Sequence, residues 1–296
     1  MSVLIVGCGY TGRRLAQRLH ALGKSVRATA ARPASIAALE SAGIAALRLT
    51  LDTPSPSIGV EPAPSIEVEN ELIYYLVPPP PEGVSDPRLE RFLGALEGAP
   101  RRLVYMSTTG VYGDHGGGRV DEDTSPNPDS PRAQRRLAAE ATLRAWSSAR
   151  NVSWTVLRVP GIYGPGRLPL ERLAAGVPAL KHAEALPGNR IQVDDLVSAC
   201  IAAGSSTRAD RRIFNVTDGS DESQTAWLER VARLAGLPPP PLVSREEARA
   251  QLSASAYSFL CESRRVDSRR MRKELGVALA YGDLDAGIRA SLAQPP

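Results

Sequence analysis

Residues 3–22 read VLIVGCGYTGRRLAQRLHAL, and this stretch decides the fold of the N-terminal part of the chain. Its first four residues, Val3–Val6, are a short apolar run of the kind that forms a strand buried on both faces of a parallel sheet. The leucines that follow at helical spacing are Leu15, Leu19 and Leu22. Gly23 stands where a helix C-cap is expected. The stretch therefore predicts a strand, a glycine-rich loop and a helix from Thr11 to Leu22.

The loop holds Gly7, Gly9 and Gly12 in the spacing G-x-G-x-x-G. In this motif the first glycine permits a tight turn, the second lets the backbone approach a pyrophosphate, and the third lets the helix pack closely on the strand. Amide groups at the start of the helix then face the phosphates. Because the motif lies between a predicted strand and a predicted helix, it predicts a dinucleotide site that also includes Tyr10 and Thr11.

Strands and helices continue to alternate along the chain after this unit. The predicted strands are Ser25–Ala30, Ile44–Leu51, Glu71–Val77, Arg102–Met106 and Trp154–Arg158. The predicted helices are Ala34–Ala42, Leu89–Leu96 and Arg132–Arg150. The Pro- and Ser-rich stretch from Asp52 to Glu69 is predicted to be a surface loop. Alternation of this kind predicts an α/β fold with a doubly wound parallel sheet, the Rossmann arrangement.

The alternation loosens beyond Gly161, where we expect a small, discontinuous C-terminal substrate lobe. Residues 1–165 are expected to form the dinucleotide-binding core, and residues 190–217 are expected to return to it. Residues 166–189 and 218–296 would then form the lobe.

Charge and cysteine content narrow the classes of partner. The 36 Lys and Arg residues exceed the 32 Asp and Glu residues by four and are dispersed, which disfavours a nucleic-acid partner. Cys8, Cys200 and Cys261 have no metal-ligand spacing to one another or to the histidines, so no metal site is expected. The chain starts with a short apolar run and no basic region, which predicts neither a signal peptide nor a membrane span. We therefore expect a cytoplasmic protein without a membrane partner.

The end of the second predicted strand indicates which cofactor is preferred. An NAD site usually has an Asp or Glu there, which accepts a hydrogen bond from the ribose 2′-hydroxyl. Here the residues are Ala30, Ala31 and Arg32, and a guanidinium can pair with a 2′-phosphate. We therefore expect NADP rather than NAD, the alternative being that Arg32 is a solvated loop residue. Asp52, after the third predicted strand, is either an acceptor for the adenine amino group or a turn residue.

Several later segments resemble those of a known family. Residues 106–113, MSTTGVYG, resemble the strand end S-T/S-x-x-V-Y-G of extended short-chain dehydrogenases. Residues 158–166, RVPGIYGPG, and residues 191–196, IQVDDL, are similar to the segments R-P-x-x-Y-G-P-G and V-x-V-D-D-L of that family. The stretch from Ser263 to Gly276 is similar to its C-terminal tail. The chain thus resembles the NAD-dependent epimerase/dehydratase branch of the short-chain dehydrogenase/reductase superfamily, whose members mostly act on nucleotide sugars.

The resemblance implies roles for particular residues. Thr108 takes the place of the catalytic Ser or Thr that hydrogen-bonds the reacting oxygen, unless it is a strand-end hydroxyl bonded to local backbone. The other residues implied to contact the cofactor are Leu76, Val77, Pro78, Ser107, Pro160, Gly161, Ile162 and Tyr163. The last four would line the nicotinamide pocket or form a simple turn.

The chain departs from the family at its Tyr-x-x-x-Lys motif. Counting back from Glu140, which fits the acid that follows this motif, Arg132 occupies the Tyr position and Arg136 the Lys position. Arginine stays protonated near neutral pH and cannot act as a general base. Arg136 would supply the positive charge of the lysine, and Arg132 would stabilise an oxyanion or bind an acidic substrate. The alternative is that both are solvated helix residues.

Two functional hypotheses follow. The first is an NADP(H)-binding oxidoreductase or nucleotide-sugar epimerase/dehydratase-like protein with a non-standard acid–base site, in which Tyr112, Tyr163 or water supplies the proton. The second is a catalytically silent NADP(H)-binding sensor or regulatory protein, which the loss of both Tyr and Lys favours. The expected partner is a small molecule, with a nucleotide sugar as the candidate, and the expected assembly is a monomer or a homodimer.

Overall fold

The computed structural model describes residues 2–52, 65–251, 257 and 262–294, and a sheet of seven strands lies at its centre. The strands are β1 (Ser2–Val6), β2 (Ser25–Ala30), β3 (Ala45–Arg48), β4 (Leu72–Tyr75), β5 (Arg102–Thr108), β6 (Ser153–Val159) and β7 (Arg212–Asn215). Their order across the sheet is β3-β2-β1-β4-β5-β6-β7, and every adjacent pair is parallel. The expected doubly wound α/β fold is confirmed.

Helices cover both faces of this sheet. The described α-helices are α1 (Tyr10–Ala21), α2 (Pro33–Ser41), α3 (Pro87–Gly94), α4 (Pro131–Ala149), α5 (Leu170–Ala174), α6 (Val193–Ser205), α7 (Gln224–Ala235), α8 (Arg245–Gln251), α9 (Arg269–Glu274) and α10 (Leu284–Leu292). Val3 and Ile5 of β1 belong to the apolar cluster that includes α1 and α6, whereas Leu4 and Val6 belong to the cluster that includes α3 and α4. Because successive strand residues point to opposite faces, the apolar run of β1 is buried on both sides.

Short parallel strand pairs connect the loops around the sheet. They are Ile66–Glu67 with Leu96–Glu97, Arg119–Val120 with Arg265–Val266, Gly161–Tyr163 with Arg190–Gln192, and Ala179–Leu180 with Leu242–Val243. The second of these pairs joins the segment after β5 to the C-terminal part of the chain. The third joins the segment after β6 to the start of α6.

Two of the predicted boundaries were wrong for the same reason. The helix predicted over Leu89–Leu96 ends at Gly94, because Leu96 pairs with Ile66 in one of the short strand pairs. The same pairing places a short strand, Ile66–Glu67, within the stretch from Asp52 to Glu69 that was predicted to be a loop. Residues 53–64 of that loop lie outside the described residues.

A third apolar cluster lies in the C-terminal half of the chain, beside the carboxyl end of β6. It is built mainly from α5, α7 and α10 around Trp227, whose ring centroid lies 4.9 Å from that of Tyr163. Since Tyr163 follows β6 along the chain, this packing places the cluster next to the sheet edge where parallel strands end.

None of the described helices is long and apolar enough to cross a membrane. Among the described residues, no group of three or more His, Cys, Asp or Glu side chains is placed to hold a metal ion. Cys8 and Cys200 are free and buried, and burial raises the pKa of the Cys8 thiol to about 12. Cys261 lies outside the described residues.

Candidate functional site

The three glycines after β1 differ in what surrounds them. Gly7 has a φ of 90°, and a Cβ there would lie 2.7 Å from Val77 Cγ2. A Cβ on Gly12 would lie 2.7 Å from the Gly7 carbonyl oxygen, so helix and loop are in close contact. At Gly9 no described atom beyond the chain neighbours lies within 4 Å of the Cβ position. The protein's own packing thus explains Gly7 and Gly12, whereas the space over Gly9 is open among the described residues.

The start of α1 suits an anion. Gly9 is the N-cap residue and brings no side chain to cap the first amides, and the first turn holds no acidic residue. The first amides of α1 have no partner within the helix, and the positive end of the helix dipole lies at Gly9. This arrangement fits the pyrophosphate of a dinucleotide cofactor.

The residues beside the loop hold it in place. The Gly7 amide donates to Thr29 Oγ1 at 3.1 Å, which ties the loop to β2. The Leu76 amide donates to the Val6 carbonyl at 2.8 Å, and Val77 contacts Gly7. Pro78, next along the chain, accepts a hydrogen bond from Arg88 through its carbonyl oxygen at 2.8 Å.

The two residues that were predicted to contact the adenosine part of the cofactor lie at the protein surface. Arg32 is exposed and directly precedes α2, with no acidic side chain between the end of β2 and that helix. Asp52 has a side chain that is 65% exposed, and its Oδ1 lies 2.6 Å from Arg88 Nε. Asp52 thus already has a partner within the protein.

Thr108 ends β5 and starts a 3₁₀ helix over Thr109–Tyr112. Its Oγ1 accepts a hydrogen bond from the Gly110 amide at 3.1 Å. Both roles considered from the sequence are therefore compatible: the oxygen caps the local backbone, and the hydroxyl proton can still be donated to a ligand. Thr108 also borders the pocket described below.

The Ser107 side chain is directed toward α4. Its hydroxyl donates to Glu140 Oε1 at 2.5 Å, within a buried ion pair. Arg158 Nη2 lies 2.8 Å from Glu140 Oε2, and the side chains of Arg158 and Glu140 are 3% and 0% exposed. Burial acts to lower the pKa of Arg158, but the hydrogen bonds and charge of Glu140 outweigh it and raise that pKa. This pair fixes α4 against β5 and β6, and so sets the positions of Arg132 and Arg136.

Those two arginines lie in different environments. Arg136 Nη1 donates to the Met106 carbonyl at 2.7 Å and to the Tyr105 hydroxyl oxygen at 3.2 Å. Arg136 is therefore tied to the end of β5 rather than solvated. Arg132, one turn earlier, borders the pocket, and its Nη2 lies 3.9 Å from Glu262 Oε1.

A pocket of about 620 Å³ opens at the carboxyl ends of β5 and β6. Among the residues expected from the sequence, its lining includes Thr108, Arg132, Pro160 and Gly161. The ionisable residues of the lining are Arg132, Arg172, Arg264 and Glu262. Three guanidiniums against one carboxylate make the pocket suitable for a negatively charged ligand.

Sequence reasoning missed the pocket residues from the C-terminal half. Arg172 and Glu262 stand in no recognised motif, whereas Arg264 lies in the segment that resembles the family's C-terminal tail. Arg172 Nη2 donates to the Pro178 carbonyl at 3.0 Å, and burial lowers the pKa of Arg172. The tail resemblance was the one available signal for this side of the pocket.

The two tyrosines considered as proton donors are not part of the pocket lining. The Tyr112 hydroxyl is buried and donates to Asn215 Oδ1 at 2.8 Å. Tyr163 is buried in the apolar cluster around Trp227. Burial raises the pKa of both tyrosines. These placements do not favour either as the proton donor.

Comparison with known proteins agrees with this geometry. The NAD dependent epimerase/dehydratase family matches residues 90–217. Protein YeeZ of Escherichia coli K12 is 27% identical over 290 residues, which cover 95% of this chain and 96% of YeeZ. The structure of a functionally unknown conserved protein from Silicibacter pomeroyi DSS is 30% identical, with a TM-score of 0.78 over 99% of this chain and 98% of that one.

A second solved structure bears on the fold. The UDP-glucuronic acid 4-epimerase of Bacillus cereus, solved in complex with NAD, superposes with a TM-score of 0.73 at 17% identity, covering 98% of this chain and 97% of that one. The shared fold extends over nearly the whole chain, whereas the family match covers residues 90–217. This match identifies residues 90–217 as part of the NAD dependent epimerase/dehydratase family.

Proposed function

We propose that this protein is an NADP(H)-dependent oxidoreductase or epimerase-like enzyme that acts on a nucleotide sugar. The observation that carries the proposal is the pocket at the carboxyl ends of β5 and β6, which joins Thr108 and Arg132 to Pro160 and Gly161. In doubly wound sheets, ligands bind in the crevice outside the carboxyl ends of the strands. The excess of arginine in the lining supports a substrate that carries phosphate.

The residues present suggest how a reaction would be assisted. A bound nicotinamide cofactor would supply or accept the hydride. Thr108 would donate its hydroxyl proton in a hydrogen bond to the reacting oxygen, and Arg132 would stabilise negative charge that develops there. Arg136, which donates hydrogen bonds to Met106 and Tyr105, would keep a positive charge next to the end of β5.

We also propose that NADP is preferred over NAD. The support is the absence of an acidic residue between the end of β2 and α2, together with the exposed Arg32 at that position. Arg32→Ala should remove the preference for NADPH in fluorescence titrations, with NADH affinity unchanged. Arg18→Ala, which removes an exposed arginine from α1, is the matched control. If Arg32→Ala keeps the preference for NADPH over NADH, Arg32 is a solvated loop residue and does not bind the 2′-phosphate.

Turnover is tested by mixing the protein with NADP⁺ and UDP-glucose or UDP-glucuronic acid and following the absorbance of NADPH. Epimerisation that returns the hydride is followed by chromatography of the sugar products. Arg132→Ala should lower kcat at unchanged cofactor affinity. Arg144→Ala, an exposed arginine on the same helix, should not change kcat.

One observation favours the alternative of a silent sensor: the described lining of the pocket contains neither Tyr nor Lys. Tight NADPH binding without turnover of any sugar nucleotide in the panel would support that alternative. It would also overturn the enzymatic proposal.

A further inference from the structure

Interconversion of an alcohol and a carbonyl needs a group that exchanges a proton as well as a hydride carrier. In this family's motif the tyrosine would do so, but Arg132 occupies its position. Within the described lining of the pocket, the ionisable side chains are three arginines and Glu262. Arginine stays protonated, and the threonine hydroxyls of the lining are too weakly acidic to exchange a proton near neutral pH. Glu262 is the remaining candidate among the side chains of the described lining.

Glu262 is held at the site by charge. Its Oε2 accepts a hydrogen bond from Arg264 Nη2 at 3.1 Å, and its Oε1 lies 3.9 Å from Arg132 Nη2. The side chain is 13% exposed, so it is mostly shielded but still borders the pocket. A carboxylate has four lone-pair positions, so these two contacts leave it able to accept another hydrogen bond from a hydroxyl.

The backbone around Glu262 is tied to the strand end that carries Thr108. The Ser263 amide donates to Asp114 Oδ1 at 2.8 Å, and the Ser263 carbonyl accepts from the His115 amide at 2.9 Å. Arg264 Nη1 donates to the Gly113 carbonyl. These contacts link Glu262 to the segment that directly follows the 3₁₀ helix after Thr108.

We propose that Glu262 is the proton-exchanging catalytic residue of this pocket, an inference that rests on the proposed oxidoreductase function. In the oxidative direction the Glu262 carboxylate takes the hydroxyl proton of the substrate. The carbinol carbon loses its hydrogen as hydride to C4 of NADP⁺, and the C–O bond becomes a carbonyl. The products are a ketone, NADPH and protonated Glu262, which releases its proton to solvent. Arg132 stabilises the alkoxide character between these events.

A purely positioning role would give a different result. If Glu262 only held Arg132 in place, Glu262→Gln and Arg132→Ala would have non-additive effects on kcat, and the pH profile would keep its shape. If Glu262 exchanges the proton, Glu262→Gln should lower kcat about 10²- to 10⁴-fold and abolish the acidic limb of the profile. Glu262→Asp should retain that limb with a smaller loss of rate.

The experiment compares wild type, Glu262→Gln, Glu262→Asp and the control Glu246→Gln, which changes an exposed glutamate on α8. Turnover is measured with NADP⁺ and UDP-glucose or UDP-glucuronic acid across pH. A second readout needs no turnover: calorimetry of UDP-glucose binding to the NADPH complex, in two buffers with different ionisation heats, counts protons exchanged on binding. We expect the same proton count in wild type and Glu246→Gln, and no proton exchange in Glu262→Gln.

The outcomes separate this inference from the proposed function. Wild-type turnover that survives in Glu262→Gln, or an unchanged proton count in that variant, overturns the role of Glu262 and leaves the proposed function standing. No turnover by the wild type overturns the proposed function, and the inference falls with it. NADPH affinity should stay within about twofold in all variants, well under the tenfold change that 1.4 kcal/mol produces.

Discussion

Replacing each of two glycines of the loop by alanine should separate folding from cofactor binding. At Gly7 the φ of 90° costs a side chain roughly 1–2 kcal/mol. The Cβ would also lie 2.7 Å from Val77 Cγ2, and overpacking of this kind typically costs about 1–3 kcal/mol. Gly7→Ala should therefore lower the free energy of unfolding by roughly 2–5 kcal/mol.

Gly9→Ala should have the opposite pattern. The φ of Gly9 is −82°, and no described atom beyond its chain neighbours lies within 4 Å of the new methyl group. The free energy of unfolding should change by no more than about 1 kcal/mol. The methyl would occupy the space into which the pyrophosphate must come, and a comparable overpacking cost of about 1–3 kcal/mol would weaken NADPH binding about 5- to 150-fold.

The assays are urea unfolding followed by tryptophan fluorescence and titration of NADPH fluorescence. The protein has three tryptophans to report unfolding. Two results would refute the reasoning: wild-type NADPH affinity in Gly9→Ala, or a loss of stability in Gly9→Ala as large as that in Gly7→Ala. The first would mean that the cofactor phosphates do not bind over Gly9, and the second would mean that the space over Gly9 is not open to a methyl group.

Three further predictions concern buried polar groups. Glu140→Gln leaves Arg158 buried without its counter-charge and should cost about 3–5 kcal/mol in urea unfolding, whereas Glu274→Gln, at an exposed ion pair, should cost under about 1 kcal/mol. Burial raises the pKa of Asp218 to about 6, so the folded state holds this proton more tightly than the unfolded state, and stability should fall as pH rises from about 4 to about 6. Asp218→Asn should remove that fall, worth roughly 3 kcal/mol, and so stabilise the protein at pH 7. Tyr163→Phe removes a buried hydroxyl that has no hydrogen-bond partner among the described residues, so it should leave stability unchanged or raise it by about 1 kcal/mol, and leave any turnover unchanged.

Each of these has a contrary result. Equal losses in Glu140→Gln and Glu274→Gln would show that the buried pair adds little beyond a surface one. A pH profile of stability that Asp218→Asn leaves unaltered would assign the titration to another group. A drop in kcat for Tyr163→Phe would restore Tyr163 as a candidate proton donor.

The sequence by itself determined the fold and the cofactor loop. Val3–Val6 and the glycines after them specify a strand and a turn through local physical constraints, namely burial on both strand faces and a φ that only glycine tolerates well. The placement of Arg132 and Arg136 at the family's Tyr and Lys positions stays a prediction from the sequence resemblance. These features depend on residues that are close along the chain.

Only the tertiary structure decided what borders the pocket. Glu262 meets Arg132 through packing between segments far apart in sequence, and no local periodicity records such a contact. The pairing of Leu96 with Ile66 is another long-range contact, and it is why the helix predicted to include Leu96 ends earlier. The sequence predicted a strand, loop and helix of the dinucleotide-binding type, whereas the tertiary structure decided which side chains line the pocket at the carboxyl ends of β5 and β6, because that lining depends on long-range packing.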